Sequence, residues 1–301
     1  MSKRGQRATR TLHRGRLDVA GVERTYLLAP ASQSEAPLLV VLHGLGTSGK
    51  DMERFSGLAS RGPAGGLATV FPDGWKQMWD GERMVPGRQH IDDPAFILAL
   101  VEALVSEGVA KEGPVFLAGL SNGAFFAEYL ARHAVLQVAG LALVAGAAFD
   151  SSRQRLPRPA QSAAVVSFAG TADRSIPYQG GPIGGTGLLA RLSARRAGRR
   201  RGEVGPIAVG AETVASDWAA ANGILSPPSV TPVSGQPRDL PVTQLRWSAA
   251  GSPPVTLYRI EGGGHSWPGG PQYLPARLIG PVARQLDATG ILLEMAQNDA
   301  S

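Results

Sequence analysis

Cysteine is missing from all 301 residues. That excludes disulfides, thiolate catalysis and cysteine metal sites together, and it leaves the redox compartment unreported. Aromatic residues are sparse at 6%, so each tryptophan near a motif is worth weighing. No apolar run reaches the roughly 18 residues of a membrane span. The N-terminal MSKRGQRATRTLHRGRLDVA is basic and lacks the apolar stretch of a secretory signal. A cytoplasmic enzyme is the expectation, although a chain trimmed of a leader would read the same.

What is present fits one large α/β domain with a sizeable core, since 43% of residues are apolar and 18% charged. Gly 39 and Pro 23 imply many loops around a compact sheet. The net charge of +6 is matched by one stretch, RLSARRAGRRRG, holding Arg191, Arg195, Arg196, Arg199, Arg200 and Arg201 with no acid among them. It has no interleaved aromatics and no nucleic-acid module, so it reads as a solvated loop and no nucleic-acid partner is expected.

APLLVVLHG (36–44) is a continuous apolar run of strand length, as in a central strand covered on both faces. Further strands are expected at 22–30, 66–74, 113–119, 138–146, 162–170 and 254–262. Helices are expected around 48–60, 92–108, 122–133, 211–223 and 287–297, with Asp93 as N-cap and Pro94 at the first helical position of the second. Alternating strands and helices predict a mainly parallel sheet with helices on both faces. Residues 1–21 read as a flexible basic arm. Residues 22–301 read as a single catalytic domain, with loop insertions near 179–210 and 225–245.

AGLSNGAFF places Ser121 in a G-x-S-x-G pattern between an expected strand and an expected helix. On such a sharp turn, Gly119 and Gly123 let neighbouring backbone pass, and the hydroxyl stands at a helix N-terminus. The other reading of Ser121 is a small residue where strand meets helix. A serine nucleophile needs a base. His13 lies in the arm, His90 in a loop, His133 near a helix end and His43 at the end of a central strand. His265, in EGGGHSWPGG, is both late in the chain and on a loop leaving the last strand.

The orienting acid should follow a strand between them. Asp173, in GTADRSIPYQGG, meets that condition; a plain turn aspartate is the alternative, and Asp150 is a second candidate. The oxyanion site needs two backbone N–H donors, expected at Asn122 and at Leu45 in HGLG. Trp75, Trp79, Trp267, Tyr178 and His43 flank these motifs and are candidate substrate contacts. Neither metal nor organic cofactor is required. Asp92-Asp93 has no ligand partners at metal spacing, and a helix cap explains it.

Taken in order, LHGLG, FPDG with Trp79 after it, DDPAFI, GLSNGA, GTADRSIPYQGG, DWAAANG and EGGGHSWPGG resemble one family of α/β-hydrolases. It joins polyhydroxybutyrate depolymerase-like enzymes with feruloyl and acetylxylan esterases, the first family of carbohydrate esterases. The likeness runs from about residue 22 to the C-terminus. It implies an α/β-hydrolase fold and a triad of Ser121, Asp173 and His265, with Leu45 and Asn122 as oxyanion donors. It further implies serine ester hydrolysis of short-chain, hydroxyalkanoate or feruloyl substrates, small or oligomeric. An acetylxylan esterase, a serine peptidase and a non-catalytic binding protein are the alternatives. Members of that family often carry cysteine where this chain has Leu45 and Ile224, so the inference of secretion is weaker here. Oligomeric state is closed to sequence.

Overall fold

The computed structural model describes residues 12–81, 91–150, 156–184 and 206–299. The strands are β1 (His13–Val19), β2 (Val22–Ala29), β3 (Leu38–Leu42), β4 (Ala68–Pro72), β5 (Val115–Leu120), β6 (Val138–Val144) and β7 (Phe149–Asp150). They continue with β8 (Ala164–Gly170), β9 (Gly180–Pro182), β10 (Ile207–Val209), β11 (Ser229–Val233), β12 (Val242–Trp247) and β13 (Val255–Ile260). The helices are α1 (Gly49–Ser56), α2 (Leu58–Ala64), α3 (Asp93–Ser106), α4 (Asn122–Arg132), α5 (Ala211–Ala221), α6 (Ala276–Ile279) and α7 (Ala288–Asp299).

Continuous apolar runs become central strands because both faces of the sheet are covered. In β3, Leu38, Val40 and Leu42 enter one buried cluster while Leu39 and Val41 enter the opposite one. The first cluster is closed by Phe96 and Leu100 of α3, Phe126 and Leu130 of α4, and Trp218 of α5. The second is closed by Met52 and Phe55 of α1, Leu58 of α2 and Leu292 of α7. The main sheet runs β1-β2-β4-β3-β5-β6-β8-β13-β12-β11. From β4 to β13 each neighbouring pair is parallel, so the C-terminal ends of β3, β5, β8 and β13 share one edge. Strands β7, β10 and β9 form a small antiparallel sheet beside it.

Three expectations are corrected. Residues 13–19, assigned to a flexible arm, pair antiparallel with β2 in register from His13↔Leu28 to Val19↔Val22. The turn is built on Ala20 and Gly21, both at positive φ, with Asp18 Oδ1 accepting the Gly21 N–H at 3.0 Å. The strand was missed because it is an edge strand with Arg14 and Arg16 turned to solvent, a composition that blunts further pairing. Residues 225–245, expected as a loop, contribute β11 and the start of β12, which extend the sheet past β13. Pro232 fits there because β11 is the outermost strand. The N-cap of α3 is Asp92, which accepts the Ala95 N–H at 2.9 Å. Asp93 is instead buried against Arg24 at 2.7 Å. Of the other expected insertion, β9 and β10 are strands; the arginine run at 191–201 lies outside the described residues, as does His90. No helix among the described residues is long and apolar enough to cross a membrane.

The helix that begins after Ser121 is anchored by a buried ion pair. Arg132 Nε donates to Glu128 Oε1 at 2.5 Å, and its Nη1 donates to the Pro157 carbonyl and faces Asp217 of α5. Burial pushes the Glu128 carboxyl up to about 7, with Arg132 pulling it back. The folded chain therefore holds this proton more tightly than the unfolded one, and the group's contribution to stability declines as pH rises through that range. Arg132→Met leaves the carboxylate without its cation and should cost about 3–5 kcal/mol in urea denaturation near about pH 8. Because a protonated Glu128 needs no cation, the loss should shrink near about pH 5. A loss that does not change with pH would contradict this.

Candidate active site

Ser121 follows β5 directly and starts α4, with its backbone at φ 57° and ψ −119°. A non-glycine residue rarely adopts that conformation, and it persists only where the surroundings enforce it. Here the Ser121 N–H donates to Val144 O at 2.9 Å, and its carbonyl accepts from Ala124 and Phe125 at 2.9 and 3.1 Å. The two flanking glycines make the turn possible by close backbone approach. A Cβ on Gly119 would lie 2.2 Å from Gly123 O, and one on Gly123 would lie 2.3 Å from Leu42 O. Serine at a helix start usually caps it. Ser121 makes no capping bond, and among the described residues its hydroxyl has no hydrogen-bond partner, the His265 ring included.

Asp173 and His265, 92 positions apart, meet at 2.7 Å between Oδ2 and Nδ1. The carboxylate can only accept, so Nδ1 carries the proton and Nε2 keeps its lone pair in the neutral ring. The other carboxylate oxygen, Oδ1, accepts the N–H groups of Ser175 and Ile176 at 2.7 and 2.9 Å. Asp173 thus serves as a turn aspartate and as the partner of His265 at once. The His265 backbone is pinned on both sides: its N–H donates to Ile279 O at 2.6 Å and its carbonyl accepts from Tyr273 Oη at 2.9 Å. Asp150, the second candidate acid, lies in β7, where its backbone pairs with Ile207.

Neither the Leu45 nor the Asn122 N–H is committed to another described residue. For Asn122 this follows from its place at the first helical position. The side chain of Asn122 pairs with the Trp79 backbone, accepting the Trp79 N–H at 2.8 Å and donating to the Trp79 carbonyl at 3.1 Å. Trp79 Nε1 in turn donates to the His43 carbonyl at 3.0 Å. His43 Nδ1–H donates to Gly44 O at 2.8 Å and Nε2 accepts the Gly74 N–H at 2.9 Å. Acceptance at Nε2 requires the neutral ring, and burial lowers its pKa in the same sense.

Three of the expected substrate contacts are therefore corrected. His43 and Trp79 expose no surface, and Trp267 is 2% exposed with its indole N–H donated to Thr289 Oγ1. All three are packed in the interior with their ring N–H groups bonded to other parts of the protein, which leaves no face open to a ligand. Trp75 remains half-buried at the surface. Tyr178 lines a cleft with Gly146, Ala147, Ile176, Pro177 and Asp173, and donates its hydroxyl to Glu212 at 2.7 Å. Sequence reasoning missed Tyr273 and Glu212. Neither lies in a motif, and only the folded chain brings them beside His265 and Tyr178. Among the described residues there is no cluster of three or more His, Asp or Glu side chains able to hold a metal.

No protein-family model matches the chain. NocK of Nocardia uniformis subsp. tsuyamanensis, which carries an esterase name, is 32% identical over 297 residues, spanning 89% of this chain and 77% of NocK. Feruloyl esterase B of Piromyces equi is 26% identical over 241 residues, covering 77% of this chain and 40% of that protein. The solved acetyl xylan esterase from Aspergillus awamori superposes with a TM-score of 0.53 at 14% identity, over 81% of this chain and 89% of that one. That likeness is one of fold. With a mostly parallel sheet covered on both faces and a relative of this coverage, the chain belongs to the esterase family of NocK, on the α/β-hydrolase fold.

Proposed function

We propose that the chain is a serine carboxylic-ester hydrolase working through an acyl-enzyme, with Ser121 as nucleophile, His265 as general base and acid, and Asp173 as the orienting carboxylate. The observation that carries this reading is the Asp173–His265 bond of 2.7 Å at the same sheet edge as a strained serine with a free hydroxyl. Nε2 of His265 takes the Ser121 proton as Oγ bonds to the ester carbonyl carbon. The oxyanion formed is met by the uncommitted N–H groups of Leu45, past the end of β3, and of Asn122, at the N-terminal end of α4. The C–O bond to the alcohol then breaks, and the imidazolium returns its proton to that oxygen. Water, deprotonated by the same ring, attacks the acyl carbon, the bond from that carbon to Ser121 Oγ breaks, and the imidazolium returns the proton to Oγ as the acid leaves. In a ligand-free site the serine–imidazole bond is commonly loose and tightens only with substrate.

The cleft beside Asp173 is walled largely by Ala145, Gly146, Ala147, Ile176 and Pro177, with Ser167, Tyr178 and Asp173 also in its lining, which suits a mainly apolar group. Short-chain, hydroxyalkanoate and feruloyl or aryl esters all meet that condition. The resemblance to polyhydroxybutyrate depolymerase-like enzymes and the likeness to feruloyl esterase B favour the last two. A panel of p-nitrophenyl esters of rising chain length, methyl ferulate and 3-hydroxybutyrate oligomers ranks them.

Ser121→Ala should lower kcat on p-nitrophenyl butyrate by at least about 1,000-fold while the folded state survives. Near-wild-type turnover by the folded variant would remove the mechanism. Asp173→Asn keeps the shape of the acid but frees the imidazole to adopt the wrong tautomer. A fall in kcat on the order of 10³- to 10⁴-fold is expected, and a change under about 10-fold would assign Asp173 to the turn alone.

A further inference from the structure

We propose that Trp79 is a positioning residue for the oxyanion donors, clamping the two backbone segments that present the Leu45 and Asn122 N–H groups into one rigid unit. The inference rests on the reading of those two groups as oxyanion donors. It adds a residue that touches neither substrate nor the reacting atoms.

Three bonds from Trp79 reach both segments. Its N–H and carbonyl pair with the Oδ1 and Nδ2 of Asn122 at 2.8 and 3.1 Å, as a neighbouring strand would. Its indole N–H donates to the His43 carbonyl at 3.0 Å. That carbonyl belongs to the peptide joining His43 to Gly44, so the bond sets the tilt of the chain leading into Leu45. The indole also stacks on Phe126 of α4, 5.1 Å between centroids and 7° from parallel, and lies 5.0 Å from the His43 ring. The ring thus stands between the exit of β3 and the start of α4 with no exposed surface.

The segment carrying Trp79 is itself held. Asp73 accepts from Thr25 Oγ1 and from the Gly49 N–H, Gly74 donates to His43 Nε2, and the Asp80 N–H is accepted by buried Asp93. Each bond runs to a different element, so the clamp is braced against the sheet and against α1 and α3. Oxyanion donors act by being fixed before charge develops, and misplacement by about 1 Å can cost on the order of 100-fold in rate. Asn122 explains the arrangement further. Both polar atoms of its side chain bond to Trp79, while its backbone N–H stays uncommitted among the described residues.

Trp79→Phe keeps the stack on Phe126 and removes the indole N–H. In the folded variant, kcat on p-nitrophenyl butyrate should fall about 10-fold or more, with KM changed by less than about 2-fold. Affinity for a trifluoromethyl ketone analogue, which forms an oxyanion on Ser121, should fall by the same factor as kcat. Asn122→Ala keeps the backbone donor and removes the other arm, so it should give the same signature; it carries the test alone if Trp79→Phe does not fold. The double variant should lose less than the product of the two single losses, because both open one clamp. Wild-type kcat and analogue affinity in the folded variants, or a loss confined to melting temperature, would overturn the assignment. Ser121→Ala separates the two levels: if it stays active, the serine mechanism fails. If it is dead while Trp79→Phe is normal, only the clamp fails.

Discussion

The hydrogen bond between Asp173 and His265 depends on two strands ending together. Strands β8 and β13 are parallel neighbours, and their last paired residues are Gly170 and Ile260. The chains leaving them are then stitched to each other: Thr171 N–H to Ile260 O at 2.9 Å, Ala172 N–H to Gly263 O at 3.0 Å, and Gly262 N–H to Thr171 Oγ1 at 2.8 Å. Only after that stitching can a carboxylate and an imidazole 92 residues apart meet at 2.7 Å. An antiparallel pairing would send the two exits to opposite edges of the sheet. The parallel order, itself a product of apolar runs covered on both faces, is therefore the precondition for that bond.

The serine side of the site obeys the same logic with backbone instead of side chains. Gly119 lies so close to the Gly123 backbone, and Gly123 to the end of β3, that a Cβ fits at neither, and the turn is driven into a conformation serine does not choose. The cost of that strain is offset by the packing of α4 beneath it. What the strain provides is a hydroxyl not consumed by capping. Around it, polar groups that would be costly if left unmet in the core are paired: both nitrogens of His43, the amide of Asn122 and the indole of Trp79.

Much of this was legible in the sequence, for reasons that can be named. The run LLVVL announces a doubly covered strand because no polar residue interrupts either face. Asp173 and His265 were legible as candidates because each lies a few residues past a stretch of strand length, β8 and β13. The strand at 13–19 was not, because an edge strand facing water reads like a charged tail. Asp92 and Asp93 are neighbours of one type, and sequence could not tell which would cap and which would be buried beside Arg24. Trp79 and Trp267 looked like aromatic walls for a ligand. Their indole N–H groups found partners inside the protein, at His43 and Thr289, and that choice is made by tertiary packing alone.

The central claim is that one serine, on one strained turn, is activated by the imidazole that Asp173 orients. Reaction with an alkyl fluorophosphonate, followed by intact-mass and peptide mass spectrometry, tests it most directly. The account predicts a single adduct per chain, located on Ser121, whose formation is abolished in His265→Ala. An unmodified chain after prolonged exposure, or an adduct on any other residue, would contradict it.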